Sequence, residues 1–296
     1  MASRRRLMAL LAFALVALLP LVAGHALAAD PPVYAPVGPG DVYLALGDSL
    51  ATGYEVVDDG KPGYPAYLLD YLRQVQPAIT LTNLGNSFVT FNGVTSGETS
   101  STFLQPGGQL EAATAFIASE RAAGRRVSPV TLSIGGNDAV GVILPGSTTT
   151  VTASLTLYRT NLEQILDRLV LALGPGDQRT GDLVLMSYYN PYPGLKAASP
   201  VPLNANPDLD VPRFNQIIVE EAAERGIPIV NAYSAFLGRE PQLTNVRFPY
   251  NFIGQLDVNF DFHPREAGHR VLARGFAEAT GYTLKLPRLY LPLARQ

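Results

Sequence analysis

The sequence predicts an α/β fold of three layers, with a five-stranded parallel sheet between two layers of helices. Two observations carry this. Five short apolar runs alternate with segments of helical spacing, and the runs are continuously apolar, as strands buried on both faces are. Nearly every run stops at a glycine or a small polar cluster, where a chain leaving a sheet must turn. Composition agrees: of 296 residues, 47% are hydrophobic and 16% charged, with a net charge of −3. A chain of that length and apolar content builds one large core without staples. The sequence has no cysteine, which excludes a disulfide framework, a thiolate metal site and a cysteine nucleophile together.

Taken in order, the chain opens with Ser3-Arg4-Arg5-Arg6, then an apolar stretch over residues 7–23, then Ala26-Leu27-Ala28. Basic, apolar and small-residue segments in that order predict a secretory signal over residues 1–28, cleaved after Ala28, and hence export. Loss of Arg4, Arg5 and Arg6 leaves 19 basic against 25 acidic residues, a net −6. A proline-rich lead occupies residues 29–40. Strands are expected over residues 42–46, 79–84, 130–134, 183–187 and 227–230. Helices are expected over 64–74, 109–123, 155–173, 213–225 and 265–280, several closed by glycine or preceded by proline. Residues 86–105 and 190–210, rich in Ser, Thr, Gly, Asn and Pro, read as loops. No shift in composition divides residues 41–284, so they form one domain, followed by a tail over 285–296 whose apolar start is a candidate extra strand. No basic run lies beyond residue 6, which argues against nucleic acid as a partner. No later stretch approaches the roughly twenty apolar residues of a membrane span, so the processed chain is expected to have no stable membrane span; a monomer is expected, although the sequence does not fix the oligomeric state.

In doubly wound sheets ligands bind beyond the carboxyl ends of the strands, and the unusual residues gather there. Gly47-Asp48-Ser49-Leu50 follows the first strand. Asn83-Leu84-Gly85, and later Ser96-Gly97-Glu98-Thr99, follow the second. Gly135-Gly136-Asn137-Asp138 follows the third, and Asp261-Phe262-His263-Pro264 comes late in the chain. These are the parts of a serine acyl-transfer site. A serine hydroxyl is a weak nucleophile that needs a base within hydrogen-bond reach, and beyond His25 only His263 and His269 remain. Asp261 lies two residues before His263, placed to orient it and to stabilise its charged form. Ser49 N–H, a glycine N–H and the Asn137 amide are candidate donors to the oxyanion.

These four blocks, in order, resemble the signature of the GDSL, or SGNH, hydrolases, and the resemblance spans roughly residues 42–280. It implies a flavodoxin-like SGNH fold and a cofactor-free esterase of the lipase type with no catalytic metal. Ser49 would be the nucleophile, His263 the base, Asp261 its partner, Asp48 the support of the nucleophile turn and Asn137 a side-chain oxyanion donor. The second block departs from the pattern. Gly97 is preferred as the backbone oxyanion donor, with residues 86–95 an inserted loop, and Gly85 is the alternative. The expected substrate is a small-molecule, lipid or acylated-carbohydrate ester.

Blander readings exist for each position. Ser49 would serve as a helix N-cap, Asn137 as a turn residue, Asp261 as a cap of the last helix, and His269 as a core histidine. Glu98 has no assigned role. Tyr188, Tyr189, Tyr192 and Pro193 are placed to line a cleft, and tyrosine rings suit an acyl chain or a sugar equally. The competing functions are an O-acetyl carbohydrate deacetylase, an acyltransferase, and a secreted binding module with a silent site. The α/β-hydrolase pattern is disfavoured, since Gly47-Asp48-Ser49-Leu50-Ala51 is not Gly-x-Ser-x-Gly.

Overall fold

The computed structural model describes residues 34–54, 61–91, 94–143, 149–193, 204–245 and 261–286. The signal segment and the end of the C-terminal tail lie outside these residues, as does part of the 190–210 stretch. Chain order is β1 (Val42–Gly47), α1 (Ser49–Thr52), α2 (Gly63–Leu72), β2 (Thr80–Asn83), β3 (Val89–Phe91), β4 (Val94–Ser96), α3 (Ser100–Leu104) and α4 (Gln109–Ala122). Then come β5 (Val127–Ser133), α5 (Gly136–Ile143), α6 (Val151–Leu173), β6 (Leu183–Met186), α7 (Pro207–Glu224), β7 (Ile229–Val230), α8 (Ala232–Phe236), α9 (Glu240–Leu243) and α10 (Glu266–Ala279).

The main sheet has the order β2-β1-β5-β6-β7, and every pairing in it is parallel. β1 and β5 are buried at every residue, which the sheet order explains: they are interior strands covered on both faces. β2, at the edge, is partly exposed throughout. α2 and α10 pack on each other, with Tyr64 stacked 4.6 Å from Phe276, while α4, α6 and α7 pack in a second group. This is the three-layer α/β fold expected, with the carboxyl ends of β1, β5 and β6 opening on one edge.

Two loop expectations are corrected. The inserted stretch before Gly97 contains an antiparallel hairpin, β3 with β4, in register Val89↔Ser96 and Thr90↔Thr95. Its strands are three residues each, too short to give a periodic signal in the sequence. The 190–210 loop ends early because α7 begins at Pro207, where Asn206 Oδ1 caps the Asp208 N–H and proline suits the first helical turn. Pro212 lies inside this helix, although a proline there reads in sequence as a boundary. β5 also starts three residues earlier than expected, taking in Pro129.

Asp182 ties residues 37 and 38 to Tyr282. It is fully buried, and its carboxylate accepts the Val37 and Gly38 N–H groups at 3.0 Å and the Tyr282 hydroxyl at 2.6 Å. Replacing it by alanine strands these donors. Asp182→Ala is expected to lose about 3 kcal/mol of unfolding free energy. Urea titration checks this, and a loss under about 0.5 kcal/mol would show that water replaces the carboxylate.

Candidate active site

Ser49 sits one residue past the turn that ends β1. Gly47 makes the turn with φ +127, and a Cβ there would lie 2.0 Å from the Ser133 carbonyl oxygen, so only glycine fits. Asp48 caps α1 by accepting the Leu50 N–H at 3.0 Å. It also takes the Ser133 hydroxyl at 3.2 Å and the Tyr188 hydroxyl at 2.5 Å. Burial pushes the Asp48 carboxyl up to about 7, against the lowering effect of these hydrogen bonds.

Ser49 Oγ lies 2.8 Å from His263 Nε2, and His263 Nδ1 lies 2.9 Å from Asp261 Oδ1. The same carboxylate oxygen accepts the His263 backbone N–H at 3.0 Å. A carboxylate only accepts, so Nδ1 carries the proton and Nε2 presents a lone pair to the serine hydroxyl. Backbone pairing fixes the histidine from behind. Asn245 N–H donates to the His263 carbonyl and Arg265 N–H to the Leu243 carbonyl, both at 2.8 Å. Phe262 stacks 4.7 Å from the imidazole and Tyr54 lies 4.9 Å from it.

Gly97 and Asn137 meet on the other side of the serine turn. A Cβ on Gly97 would fall 2.5 Å from Asn137 Oδ1, so the amide rests directly on the glycine backbone. Asn137 Nδ2 donates to the Glu98 carbonyl at 2.9 Å, and its second N–H remains for another acceptor. Gly85 is placed differently: its N–H donates to Asn83 Oδ1 at 2.9 Å, and its Cα faces Ala51.

The chain matches the GDSL-like Lipase/Acylhydrolase family over residues 45–271. It belongs to that family. As such it is an ester-hydrolysing enzyme. No protein of curated function matches it. Among solved structures it is similar to the lipase Lip_vut3 from a goat rumen metagenome, at 17% identity and TM-score 0.56, covering 80% of this chain and 96% of that one. It is also similar to Axe2, an acetylxylan esterase from Geobacillus stearothermophilus, at 20% identity and TM-score 0.53, covering 84% and 97%. A third is LAE5, from the metagenome of Lake Arreo, Spain, at 19% identity and TM-score 0.51, covering 82% and 96%. At these identities the likeness is one of fold.

The enzyme uses two residues around this turn that sequence reasoning missed or left unassigned. Gln109, the first residue of α4, accepts the Gly47 N–H on Oε1 at 2.6 Å and donates from Nε2 to the Gly47 carbonyl at 2.9 Å. Glu98 is buried, and its carboxylate accepts Gln109 Nε2 at 3.3 Å and the Thr102 hydroxyl at 2.6 Å. The only trace in the sequence was a polar residue opening an Ala-rich helix; nothing linked it to Gly47. The tyrosine placement also needs one change: Tyr188, Tyr189 and Tyr192 line a cavity beside Ser49, but Pro191 joins them rather than the exposed Pro193.

His269 lies in the core. Its Nδ1 accepts the Tyr64 N–H at 3.1 Å, and desolvation, helped by nearby His263, lowers its pKa to about 3. The unfolded chain takes up a proton near pH 6.5 and the folded one does not until about pH 3, so this group's stabilising contribution fades as pH falls across that window. In His269→Gln the unfolding free energy should lose up to about 1.4 kcal/mol per pH unit of this slope. Chemical denaturation of both proteins from pH 7 to pH 4 measures it, and parallel curves would reject it. Gln109→Ala is expected to destabilise by about 1–3 kcal/mol, because it leaves the buried Gly47 N–H unpaired while the Gly47 carbonyl keeps only the Asn86 N–H; thermal unfolding tests this.

Proposed function

We propose that this enzyme hydrolyses carboxylic esters through a Ser49–His263–Asp261 triad and an acyl-enzyme. The supporting observation is the unbroken line from Ser49 Oγ through both imidazole nitrogens to Asp261. Ser49 attacks the ester carbonyl as His263 Nε2 takes its proton. Asp261 stabilises the imidazolium and holds the ring in the correct tautomer. The tetrahedral oxyanion is met by the Ser49 and Gly97 N–H groups and by the free N–H of Asn137. Gly85 is left out because its N–H is already donated to Asn83. The alcohol leaves with the proton from His263. Water, activated by the same nitrogen, then releases the acid.

Asp48 takes no part in proton transfer in this scheme, since its oxygens are committed to Leu50, Ser133 and Tyr188. It fixes the turn from which Ser49 projects. We also propose that residues 1–28 direct export and are removed. The support is the order of basic, apolar and small residues, and N-terminal sequencing of the secreted protein should begin at Ala29.

Ser49→Ala is expected to lower kcat on p-nitrophenyl butyrate by at least about 10³-fold, and Asn137→Ala by about 10²–10³-fold with little change in KM. A fluorophosphonate should label Ser49 in the wild type. Turnover that survives in Ser49→Ala would remove Ser49 from the mechanism. A folded wild-type protein that neither turns over esters nor takes the label would favour a binding module.

A further inference from the structure

A narrow cavity, partly open to solvent, begins at Ser49 and Asn137 and runs between α5, α7 and the segment after β6. Its deeper walls are Ala139, Val140 and Ile143 from α5 and Val211, Phe214 and Ile218 from α7. Four tyrosine rings, those of Tyr158, Tyr188, Tyr189 and Tyr192, complete it, and the hydroxyls of the first three are spent within the protein. Tyr158 donates to the Ile134 carbonyl at 2.8 Å, Tyr188 to Asp48 Oδ2 at 2.5 Å, and Tyr189 to the Phe262 carbonyl at 2.8 Å. Polar groups therefore gather at the serine end, and the Asp48 oxygens there are already occupied.

These commitments bear on the choice that the tyrosines leave open in the sequence. A sugar in this cavity would bury several hydroxyls along walls that are mostly aliphatic and aromatic, where three of the four tyrosine hydroxyls are already committed, and each hydroxyl left unpaired costs free energy. An acetyl methyl would leave most of the apolar wall uncovered. An alkyl chain meets the wall along its length and needs no polar partner. Tyr158, Phe214 and Ile218 in its lining are all buried, and the Tyr158 and Phe214 rings lie 5.5 Å apart, so bulky side chains bound the cavity on the protein's inner side.

We infer that this cavity is the acyl-chain pocket and that the enzyme prefers medium-chain fatty acyl esters to acetyl esters. The inference rests on the Ser49 esterase reading above, since it places the acyl carbonyl at Ser49 with the chain pointing inward. Each methylene admitted should raise kcat/KM about fourfold, which is the ~0.8 kcal/mol of a buried CH₂. The buried Tyr158, Phe214 and Ile218 side chains should bring the rise to a stop before the longest chains.

The test compares p-nitrophenyl acetate, butyrate, octanoate and laurate on the purified full chain, with Val140→Phe and Ile218→Ala beside it. Butyrate should exceed acetate by about 15-fold in kcat/KM, at about fourfold for each of two methylenes. Val140→Phe should cut octanoate turnover at least tenfold while acetate stays within about twofold, and Ile218→Ala should move the optimum to longer chains. A second readout is calorimetric binding of octanoate to Ser49→Ala, lost when Val140→Phe is added.

A wild type that hydrolyses acetate best, through Ser49, overturns the pocket and leaves the esterase reading intact. Octanoate bound in a Val140-dependent way without turnover of any ester keeps the pocket as an alkyl site and overturns the esterase reading. Neither turnover nor binding overturns both.

Discussion

The turn at Gly47 is the constraint on which the site depends. β1 must end against β5, because a Cβ on Gly47 would overlap the Ser133 carbonyl. That close approach puts Asp48 within reach of Ser133 and Tyr188, and so links the ends of three adjacent strands through one carboxylate. Gln109 pairs with both backbone groups of Gly47, much as a neighbouring strand would. Glu98 holds the Gln109 amide in the orientation this requires, because a carboxylate accepts and the amide nitrogen must face it. The same residue's carbonyl orients Asn137. The Ser49 turn and the Gly97–Asn137 side are thus one connected assembly, and a shift in either is felt in both.

Such an assembly buries charge, and the fold shows how that is made tolerable. Asp48, Glu98 and Asp138 are each desolvated, and each is raised above its ordinary range mainly for that reason. Each also accepts at least two hydrogen bonds from nearby backbone or side-chain groups. Asp138, for example, takes the Ser100 N–H at 2.9 Å and its hydroxyl at 2.6 Å. Buried carboxylates with full hydrogen-bond shells rigidify their surroundings, whereas unpaired ones would unfold them. Asp261 sits differently: it is partly exposed, and one of its oxygens accepts from the His263 imidazole and from the His263 backbone N–H.

The strands and long helices were legible because they obey local rules. Interior strands read as apolar runs, and α10 stops near Gly281. Ser49, His263 and Asn137 stood out because polar residues at strand ends are conspicuous against an apolar background. The hairpin of β3 and β4 was invisible because three-residue strands carry no period. The start of α7 was obscured by Pro212, whose local rule lost to the tertiary packing of Phe214, Ile217 and Ile218. Gln109 was beyond reach for a different reason. Its partner Gly47 lies 62 residues away, and a contact set by how α4 seats beside β1 leaves no mark on either local sequence.

Burial acts on both histidine and carboxylate, and with opposite sign. His269 is held near 3 in the core, so its contribution to stability grows as pH rises from about 3 to 6.5. Asp48 is held near 7, so the folded chain keeps a proton that the unfolded chain has already released near pH 4. Its contribution therefore falls as pH rises from about 4 to 7. Glu98 and Asp138, raised by the same desolvation, add to the acid side. The two effects oppose each other across the window they share, so each masks part of the other in the pH dependence of the whole protein. Only a difference between variants separates them. The same desolvation that perturbs these groups also excludes water around the turn that carries Ser49, so the shifted protons and the rigid turn have a common origin in the packing of β1 against β5.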